Sequence, residues 1–427
     1  MASTSELIGA ARTVSPARVF WATWLGWMLD GFDGGIYIFV LVPALITLLR
    51  VQGLPADKGH IALYGGFLFS LFMVGWACSM FWGWMADRVG RVRVMCWTML
   101  LYSAGTALCG LAPSLAWFAL FRFIAGFGVG GEWAAGTPLL HESLPESSRV
   151  RITGYLHTAT PIGGLLAAGA SLLVPVLGWR GVFALGALPA LMVLWLRLKL
   201  PEPPRSPASR ARAHAAAGGR GLFHLDNARV TWSAAGMMAC MILGLWSTTF
   251  WAPTYVITRL IGTGHNMAYA QHWASISGLL MNLGTLAACL AMSLIVRHTR
   301  RRRAAMFFFL GALITNLIAW PIIALAFGWV WVFLAVLPVL GFFTNGVFAL
   351  FTVWLPEMFP SVHRGFGSGF AFSLGRLLAA VGPSLVGAAV LLTGSYPAAI
   401  TVISFIYLIG VPLVLMGPET AGRPLPA

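Results

Sequence analysis

The sequence FALFRFIAGFGVGGEWAAGTPLLHESLPESSRVR, residues 118–151, decides the fold. Its first part is apolar or small and is long enough to cross the core of a bilayer as a helix. Arg122 and Glu132 nevertheless lie inside this run. A charge at that depth costs about 2.5–3.5 kcal/mol on insertion scales, so each should face a partner or a water-filled cavity. The segment therefore predicts a membrane helix that carries part of the function.

The polar loop that ends this segment occurs twice in the chain. The pattern E-x-x-P-x-x-x-R begins at residue 142 and again at residue 357. A loop repeated six apolar spans apart indicates duplicated halves, which in transporters enclose a site near the membrane midplane. The charged members of both loops are predicted to make conformational contacts: Glu142, Arg149, Glu357 and Arg364.

The composition excludes a soluble globular domain. Of the 427 residues, 59% are hydrophobic and only 9% are charged, and the mean hydropathy is +0.83. The 49 Gly and 19 Trp residues fit membrane helices that pack closely and end at the bilayer interface. The five cysteines are scattered through apolar segments, so neither a disulfide framework nor a metal site is expected.

The sequence also lacks the common motifs of enzymes. It has no G-x-x-x-x-G-K-[ST] loop for ATP, no G-x-S-x-G nucleophile and no H-E-x-x-H zinc motif. We therefore expect a protein that is not an enzyme and that needs no cofactor or metal. Its energy source should be an ion gradient.

Twelve membrane spans are predicted along the chain. They lie at about residues 17–41, 61–82, 93–111, 114–140, 150–174, 180–198, 230–258, 268–296, 304–325, 329–356, 364–393 and 395–417. Residues 201–229 are rich in Pro, Ala, Gly and Arg, and are interpreted as a solvated linker. The fold class is thus all-α integral membrane, with two pseudo-symmetric six-helix halves, residues 1–200 and 230–427, around a central cavity.

The distribution of basic residues predicts the topology. With the N-terminus inside, 21 of the 27 Lys and Arg residues fall in inner segments and four in outer loops. This bias indicates that both termini are cytoplasmic in the inner membrane of a bacterium. The net charge of +15 is therefore explained by topology, and the lipid bilayer rather than nucleic acid is the expected partner.

The motif after the second span resembles that of a known family. Residues 83–93, GWMADRVGRVR, are similar to the GxxxDRxGRR signature of the major facilitator superfamily, and residues 122–126 resemble its RxxxG motif. The resemblance covers nearly the whole chain and implies the fold of that superfamily. It also implies a role in conformational change for these residues: Gly83, Asp87, Arg88, Gly90 and Arg91.

Three further segments point to a subgroup. WMLDGFD at 27–33, GGEW at 130–133, and LPEMFP at 355–360 together with Gly375-Arg376 look like the sialate:proton symporter and lactate-permease group. The aromatic-acid:proton symporters share the DGFD element. The resemblance implies uptake of an organic anion together with protons. Gly34 and Gly35 follow this element here, where we would expect aromatic or β-branched residues.

Asp30 and Asp33 are the first candidates for proton coupling. They are three residues apart, so they share one helix face with Gly26 and Tyr37. Two ionised carboxylates at membrane depth are poorly solvated and repel each other, so at least one should take up a proton. Alternatively, one of them only binds a neighbouring helix or caps a break near Gly34.

Arg122 and Glu132 are ten residues apart and cannot pair along one helix. Arg122 could pair with an aspartate of the first span, and the pair would then respond to protonation of that aspartate. Alternatively, it forms a static structural ion pair. Glu132 is a second candidate proton carrier.

Arg376 is the predicted anchor for the substrate. It is the deepest basic residue of the second half, and a guanidinium there can bind a carboxylate through two hydrogen bonds. The alternative is that it serves as a partner for Glu357 or for backbone carbonyl groups.

Weaker candidates for the cavity wall are polar or aromatic residues within the spans. Any of them could instead bind a neighbouring helix, as such residues commonly do in membranes. They are Tyr37, Trp251, Gln271, Asn282 and Asn345.

Together these features predict a secondary active transporter that takes up a small organic anion with one or more protons by alternating access. The anion should be a monocarboxylate such as lactate, pyruvate, sialate or an aromatic acid. Each chain should hold a complete pathway and work as a monomer. The alternative is a proton-driven exporter of cationic or lipophilic compounds, in which the acidic pair would bind the cation.

Overall fold

The computed structural model describes residues 15–143, 152, 154–199, 225–360 and 364–422, and every regular element in these ranges is helical. The predicted all-α class is confirmed. Apolar side chains cover the outside of the bundle: Val176 is 82% exposed and Leu392 is 86% exposed. An apolar surface of this kind suits lipid rather than water.

The helices follow the predicted order. They are α1 Pro16–Val51, α2 Lys58–Ala77 with Ser79–Val89, α3 Arg91–Cys109, α4 Leu115–Ser143, α5 Ala159–Ser171, α6 Val174–Ala184 with Leu185–Ala187 and Leu188–Lys199, α7 Leu225–Thr248 with Ala252–Gly262, α8 Met267–His298, α9 Arg301–Leu317 with Ile318–Phe327, α10 Val330–Met358, α11 Arg364–Ala379 with Val381–Thr393, and α12 Tyr396–Ser404 with Ile406–Met416. Within the described ranges, eleven helices are long and apolar enough to cross a membrane. The remaining one, α5, has 13 residues here, and the predicted span 150–174 begins among residues outside those ranges.

Two boundaries differ from the prediction because local chemistry sets them. Helix α2 begins at Lys58 rather than near residue 61, because Asp57 caps it by accepting hydrogen bonds from the N–H groups of Gly59 and His60. These bonds, that of His60 foremost, hold the pKa of Asp57 below its usual value. In α6 the backbone leaves the helical region at Gly178, with φ 66° and ψ 170°. The predicted start at residue 180 therefore marks the helix that follows this kink.

The two halves meet along two pairs of helices. Within the first half α1 packs on α5 and α3 on α4, and within the second half α7 packs on α11 and α8 on α10. Between the halves, α2 packs on α11 and α5 on α8. We call these two contacts the seams. The end of the bundle at which α6 ends and α7 begins is called the linker end, and the other is called the far end.

At the far end the α2–α11 seam is closed by direct backbone approach. A methyl group added to Gly66 would collide with the carbonyl oxygen of Pro383, and one added to Gly387 would collide with that of Ala62. Close approach of this kind is the usual role of small residues between membrane helices. Lys58 Nζ also donates to the Gly394 carbonyl oxygen at 2.5 Å. The far end is therefore shut along this seam.

An aromatic cluster adds to this closure. Phe69 of α2 stacks on Phe250 of α7 with ring centroids 4.4 Å apart, and it lies 5.0 Å from the ring of Trp246. Tyr37 of α1 stacks on the same Phe250 at 6.1 Å. Since α1 and α2 belong to one half and α7 to the other, these rings must separate if the far end is to open.

A polar contact within the seam offers a way to test whether it opens. The hydroxyl oxygens of Ser70 and Ser384 lie 2.7 Å apart, so cysteines at both positions should form a disulfide. In a protein whose native cysteines are replaced, we expect oxidation of the Ser70→Cys/Ser384→Cys pair to stop transport, and reductant to restore it. The measurement is uptake into vesicles before and after treatment. Ser70→Cys alone is the control, and full activity of the crosslinked protein would show that this seam does not open.

Near the linker end the halves touch again. His157, in the turn before α5, hydrogen-bonds Thr352 of α10. The Cys289 thiol of α8 lies 3.7 Å from the His157 carbonyl oxygen, and the ring of Trp27 packs against the imidazole at 5.3 Å. His157 is thus a packed, hydrogen-bonded residue at the seam of the two halves.

A charged network joins three segments of the second half at the linker end. Arg301, at the start of α9, donates two hydrogen bonds of 3.0 Å to Glu357 of α10. Thr420 donates to the same carboxylate at 2.6 Å. Glu419 accepts hydrogen bonds from the backbone N–H groups of Arg301 and Arg302. Glu357 therefore pairs within its own half with Arg301 and not with Arg376, which was one alternative raised by the sequence.

We expect Glu357→Gln to lower the free energy of unfolding by about 1–3 kcal/mol. The neutral amide leaves Arg301 without its countercharge, and both side chains are mostly shielded, at 13% and 15% exposure. Thermal unfolding in detergent, followed by tryptophan fluorescence, measures the change. Arg303→Gln is the matched control because Arg303 is exposed. Equal melting temperatures for the two variants would contradict this assignment.

Candidate functional site

Three membrane-spanning helices bring charged side chains into the interior of the bundle. Asp30 and Asp33 come from α1, Arg122 and Glu132 from α4, and Arg376 from α11. Asp33, Arg122 and Glu132 are fully buried and Arg376 is 6% exposed. Asp30 alone is half-buried. We call these five residues the charge cluster.

The residues of the cluster interact electrostatically over a distance rather than through direct ion pairs. Asp30 interacts electrostatically with Asp33, Glu132 and Arg376, and Asp33 does so with Arg122. Two ion pairs seen among the described residues, His60–Asp57 and Arg301–Glu357, include no member of the cluster. Charges that are neither paired nor solvated are costly in a membrane, so the cluster can gain much by binding a proton or an ion.

Asp33 has a fixed local partner. The Thr106 hydroxyl of α3 donates to Asp33 Oδ2 at 2.7 Å, while Oδ1 has no hydrogen-bond partner among the described residues. The Asp33 side chain is therefore tied to the first half of the protein.

Arg122 is held between aromatic rings. Its guanidinium carbon lies 4.5 Å from the ring centre of Tyr37 and 4.3 Å from that of Phe72. Cation–π contacts of this kind stabilise a desolvated cation by up to about 2 kcal/mol. None of its three guanidinium nitrogens makes a hydrogen bond within the described part of the chain. The rings thus hold the guanidinium, and its interaction with Asp33 of the first span acts over a distance rather than through a direct ion pair.

Glu132 occupies a space that a glycine leaves free. A methyl group on Gly26 of α1 would lie 2.6 Å from Glu132 Oε2 and 3.0 Å from the Met99 side chain. Neither carboxylate oxygen has a hydrogen-bond partner in the described ranges. This buried carboxyl group therefore faces α1, on the side that carries Asp30.

Arg376 reaches from the second half to the first. Its guanidinium carbon lies 4.2 Å from the ring centre of Trp76 on α2 and 5.0 Å from that of Phe372 on its own helix. Its Nη1 is buried and has no hydrogen-bond partner among the residues described here. A guanidinium with an unused donor, and with the half-buried Asp30 in electrostatic range, can receive a carboxylate ligand.

The predicted wall residues divide into two groups. Asn282 and Asn345 are half-buried, and the Asn282 amide packs over Gly164 of α5. Tyr37, Gln271 and Trp251 are buried: Tyr37 donates to the Gly65 carbonyl at 2.9 Å and Gln271 to that of Phe39 at 2.8 Å. Trp251 packs on Phe250 and Tyr396. The last three thus lie in helix contacts rather than at an open surface.

The predicted loop motif forms the turn between α2 and α3. Gly90 has φ 126°, a backbone conformation that side-chain-bearing residues rarely adopt. The Arg88 guanidinium stacks on the Trp84 ring at 4.0 Å, Arg91 begins α3, and Gly83 lies within α2. The side chains of Asp87, Glu142 and Arg364, and the whole of Arg149, lie outside the described residues.

Sequence reasoning missed the aromatic partners of the two arginines. Phe72 and Trp76 are one turn apart on α2, and they face Arg122 and Arg376 respectively. The i, i+4 spacing of two large rings was visible, but the chain has 28 Phe and 19 Trp residues, so the spacing alone distinguishes nothing.

Comparison with known proteins places the chain among transporters. The sequence pattern described as the Major Facilitator Superfamily matches residues 23–383. The niacin transporter NiaP of Acinetobacter baylyi is 28% identical over 95% of both chains. The sialic acid transporter NanX of Escherichia coli is 26% identical over 84% of this chain and 83% of its own, and the cis,cis-muconate transport protein of Acinetobacter baylyi is 26% identical over 86% of each.

Solved structures agree on the fold. The crystal structure of a D-xylose-proton symporter matches with a TM-score of 0.69 at 20% identity, over 95% of this chain and 99% of that one. The predicted resemblance to sialate and aromatic-acid carriers is confirmed by the relatives.

Proposed function

Since this chain belongs to the Major Facilitator Superfamily, and is thus a transporter rather than an enzyme, we propose that it takes up a small organic monocarboxylate together with a proton. The observation that carries the proposal is the arrangement of Arg376. Its guanidinium lies between the halves, with an unused buried donor and with Asp30 in electrostatic range.

The nature of the substrate follows from this arginine and from the relatives. Niacin, sialic acid and cis,cis-muconate, which the relatives are named for, are all carboxylic acids. A carboxylate is also the ligand that a guanidinium binds most specifically, through two parallel hydrogen bonds. We therefore assign the substrate carboxylate to Arg376.

Proton coupling is assigned to Asp30 because it alone among the three acids of the charge cluster is half-buried. While Asp30 is ionised, its charge compensates that of Arg376. When Asp30 takes up a proton, the charge of Arg376 is no longer balanced, and a substrate anion is attracted in its place. One proton and one monoanion then neutralise each other, and the loaded carrier moves no net charge.

Glu132 and Asp33 assist this step in different ways. Glu132 of α4 lies against Gly26, which is on the same face of α1 as Asp30. It can therefore store the proton or pass it on. Asp33 is held by Thr106 and balances Arg122 within the first half. The contacts seen for both residues within the described ranges are with the first half. This leaves Asp30 and Arg376 as the pair that links protonation to movement of the halves.

The cycle requires the seams to open in turn. The far end is closed here by the α2–α11 glycines and by the Phe69–Phe250 stack. Rocking of the halves about the charge cluster would break these contacts and expose Asp30 and Arg376 to the far side. From the excess of basic residues at the linker end we propose that this end is cytoplasmic, and that the protein lies in a bacterial inner membrane.

The proposal is tested by uptake into proteoliposomes that contain the purified protein. An imposed inward proton gradient should drive accumulation of one labelled anion from a panel of lactate, pyruvate, sialate, benzoate and nicotinate. Accumulation should disappear when a protonophore collapses the gradient. Protein-free liposomes correct for passive entry of the neutral acids. Accumulation that persists without the gradient would contradict proton coupling.

The exporter alternative is disfavoured by the same arginine. A cavity that binds a cation would have to hold two positive charges, that of the substrate and that of Arg376. The Arg376 guanidinium has no ion-pair partner within 4.0 Å among the described residues. Competition separates the two functions: carboxylates should inhibit uptake, and lipophilic cations should not.

A further inference from the structure

Two aromatic residues of α2, the half-buried Trp76 and the buried Phe72, lie one after the other between Arg376 and α1. The Trp76 ring lies under the Arg376 guanidinium at 4.2 Å, and the Phe72 ring lies 5.9 Å from the Trp76 ring. Phe72 Cζ in turn lies 3.9 Å from the point where a Cβ atom on Gly34 would stand. We call Phe72 and Trp76 the α2 wall.

The end of the wall at Arg376 has two unused donors. The indole Nε1 of Trp76 and the Nη1 of Arg376 are both buried, and neither has a hydrogen-bond partner in the described ranges. A buried donor without an acceptor costs about 1–3 kcal/mol, so such groups usually mark a site where an acceptor binds. Two of them on one stacked pair fit the two oxygens of a carboxylate.

The other end of the wall has room. Glycines at 26, 31 and 35 of α1 are tightly packed, because an added methyl group would lie 2.6–2.7 Å from Glu132, Thr160 or Ala167. At Gly34 the same methyl group would meet only Phe72 Cζ at 3.9 Å. Gly34 is also half-buried, and it lies one helical turn from the half-buried Asp30. The free space therefore adjoins the proposed proton site.

We infer that the α2 wall is a binding surface for the flat ring of a cyclic monocarboxylate, with the carboxylate on Arg376 and Trp76 Nε1 and the ring reaching the space left by Gly34. The rings of Trp76 and Phe72 are inclined at 59° to each other. A planar ring that lies flat on Trp76 therefore meets Phe72 with its edge, which is a favourable arrangement for aromatic rings. Gly34 then sets the size of the substrate. This inference rests on the proposed function.

The size role of Gly34 is tested with two labelled probes, benzoate and pyruvate, in proteoliposomes. Gly34→Leu fills the space, and we expect the KM for benzoate to rise at least about tenfold while pyruvate uptake changes less than about twofold. Gly34→Ala should keep both activities, because its methyl group fits. Gly169→Leu is the matched control, because that glycine of α5 also has room: nothing lies within 4 Å of a methyl group placed there.

The donor role of Trp76 needs a different variant. Trp76→Phe keeps an aromatic ring under Arg376 and removes only the N–H group. We expect the KM to rise about tenfold for benzoate and pyruvate alike, with the maximal rate little changed, because one hydrogen bond to a charged group is lost. A purely structural role would lower the maximal rate and the yield of folded protein instead.

The outcomes separate this inference from the proposed function. Equal loss of benzoate and pyruvate uptake in Gly34→Leu, or no loss of either, overturns the size role. A wild-type protein that carries pyruvate or sialate but not benzoate overturns the ring surface and leaves proton-coupled anion uptake standing. A wild-type protein that carries no carboxylate overturns both.

Discussion

Arg376→Ala is expected to abolish carboxylate uptake. Loss of a two-point guanidinium–carboxylate contact in a buried site removes roughly 3 kcal/mol or more, which corresponds to a fall of about 100-fold in apparent affinity. Arg376→Lys should recover only part of this, because an ammonium group cannot bind both carboxylate oxygens in one plane. Initial rates of labelled anion uptake over a range of concentrations give the effect.

The control for this variant is Arg259→Ala. Arg259 is an exposed cation of α7 at the far end, outside the charge cluster. Both variants remove one positive charge, so a general effect of charge would act on both. Wild-type affinity in a folded Arg376→Ala protein would contradict the assignment of the anchor.

Asp30→Asn is expected to separate uptake from the proton gradient. The amide mimics the protonated acid permanently, so Arg376 stays available to the anion but no proton is carried. We expect exchange of labelled for unlabelled anion to continue, and accumulation driven by a pH gradient to fall to the level of protein-free liposomes. Uptake should also lose its dependence on external pH.

Asp57→Asn provides the comparison for Asp30→Asn, because Asp57 is an exposed carboxylate in the loop before α2. Gradient-driven accumulation should be unchanged in that variant. If Glu132→Gln uncouples transport while Asp30→Asn does not, the proton site is Glu132, and Asp30 only balances Arg376.

The charged residues of the site could be predicted from sequence for a simple physical reason. Ionisable residues are so costly inside a membrane span that Asp30, Glu132 and Arg376 stand out in any apolar run. The twelve predicted spans follow from the same hydropathy, and the structure has helices in that order. What hydropathy cannot give is which helices meet. The approach of α1 and α4 depends on glycine contacts such as Gly26 against Glu132.

The aromatic partners of the arginines could not be predicted from sequence. The sequence suggested an acidic partner for Arg122; its guanidinium interacts with Asp33 only over a distance, and its direct contacts are the rings of Tyr37 and Phe72. An aromatic face attracts a cation through its quadrupole, and no residue pattern separates such a ring from one that faces lipid. The open space beside Gly34 was equally hidden, because it depends on Phe72 of another helix.

Proton entry that accompanies the anion is the most direct test of proton-coupled uptake through Arg376. The protein is reconstituted in liposomes with a pH-sensitive dye inside and no initial pH difference. Sialate, benzoate and pyruvate are added outside, each in a separate trial. Sialate is included because it is too polar to cross the bilayer by itself. We expect acidification of the lumen that follows at least one anion and is absent with Arg376→Ala. Entry of an anion through the wild-type protein without any acidification would contradict proton-coupled uptake.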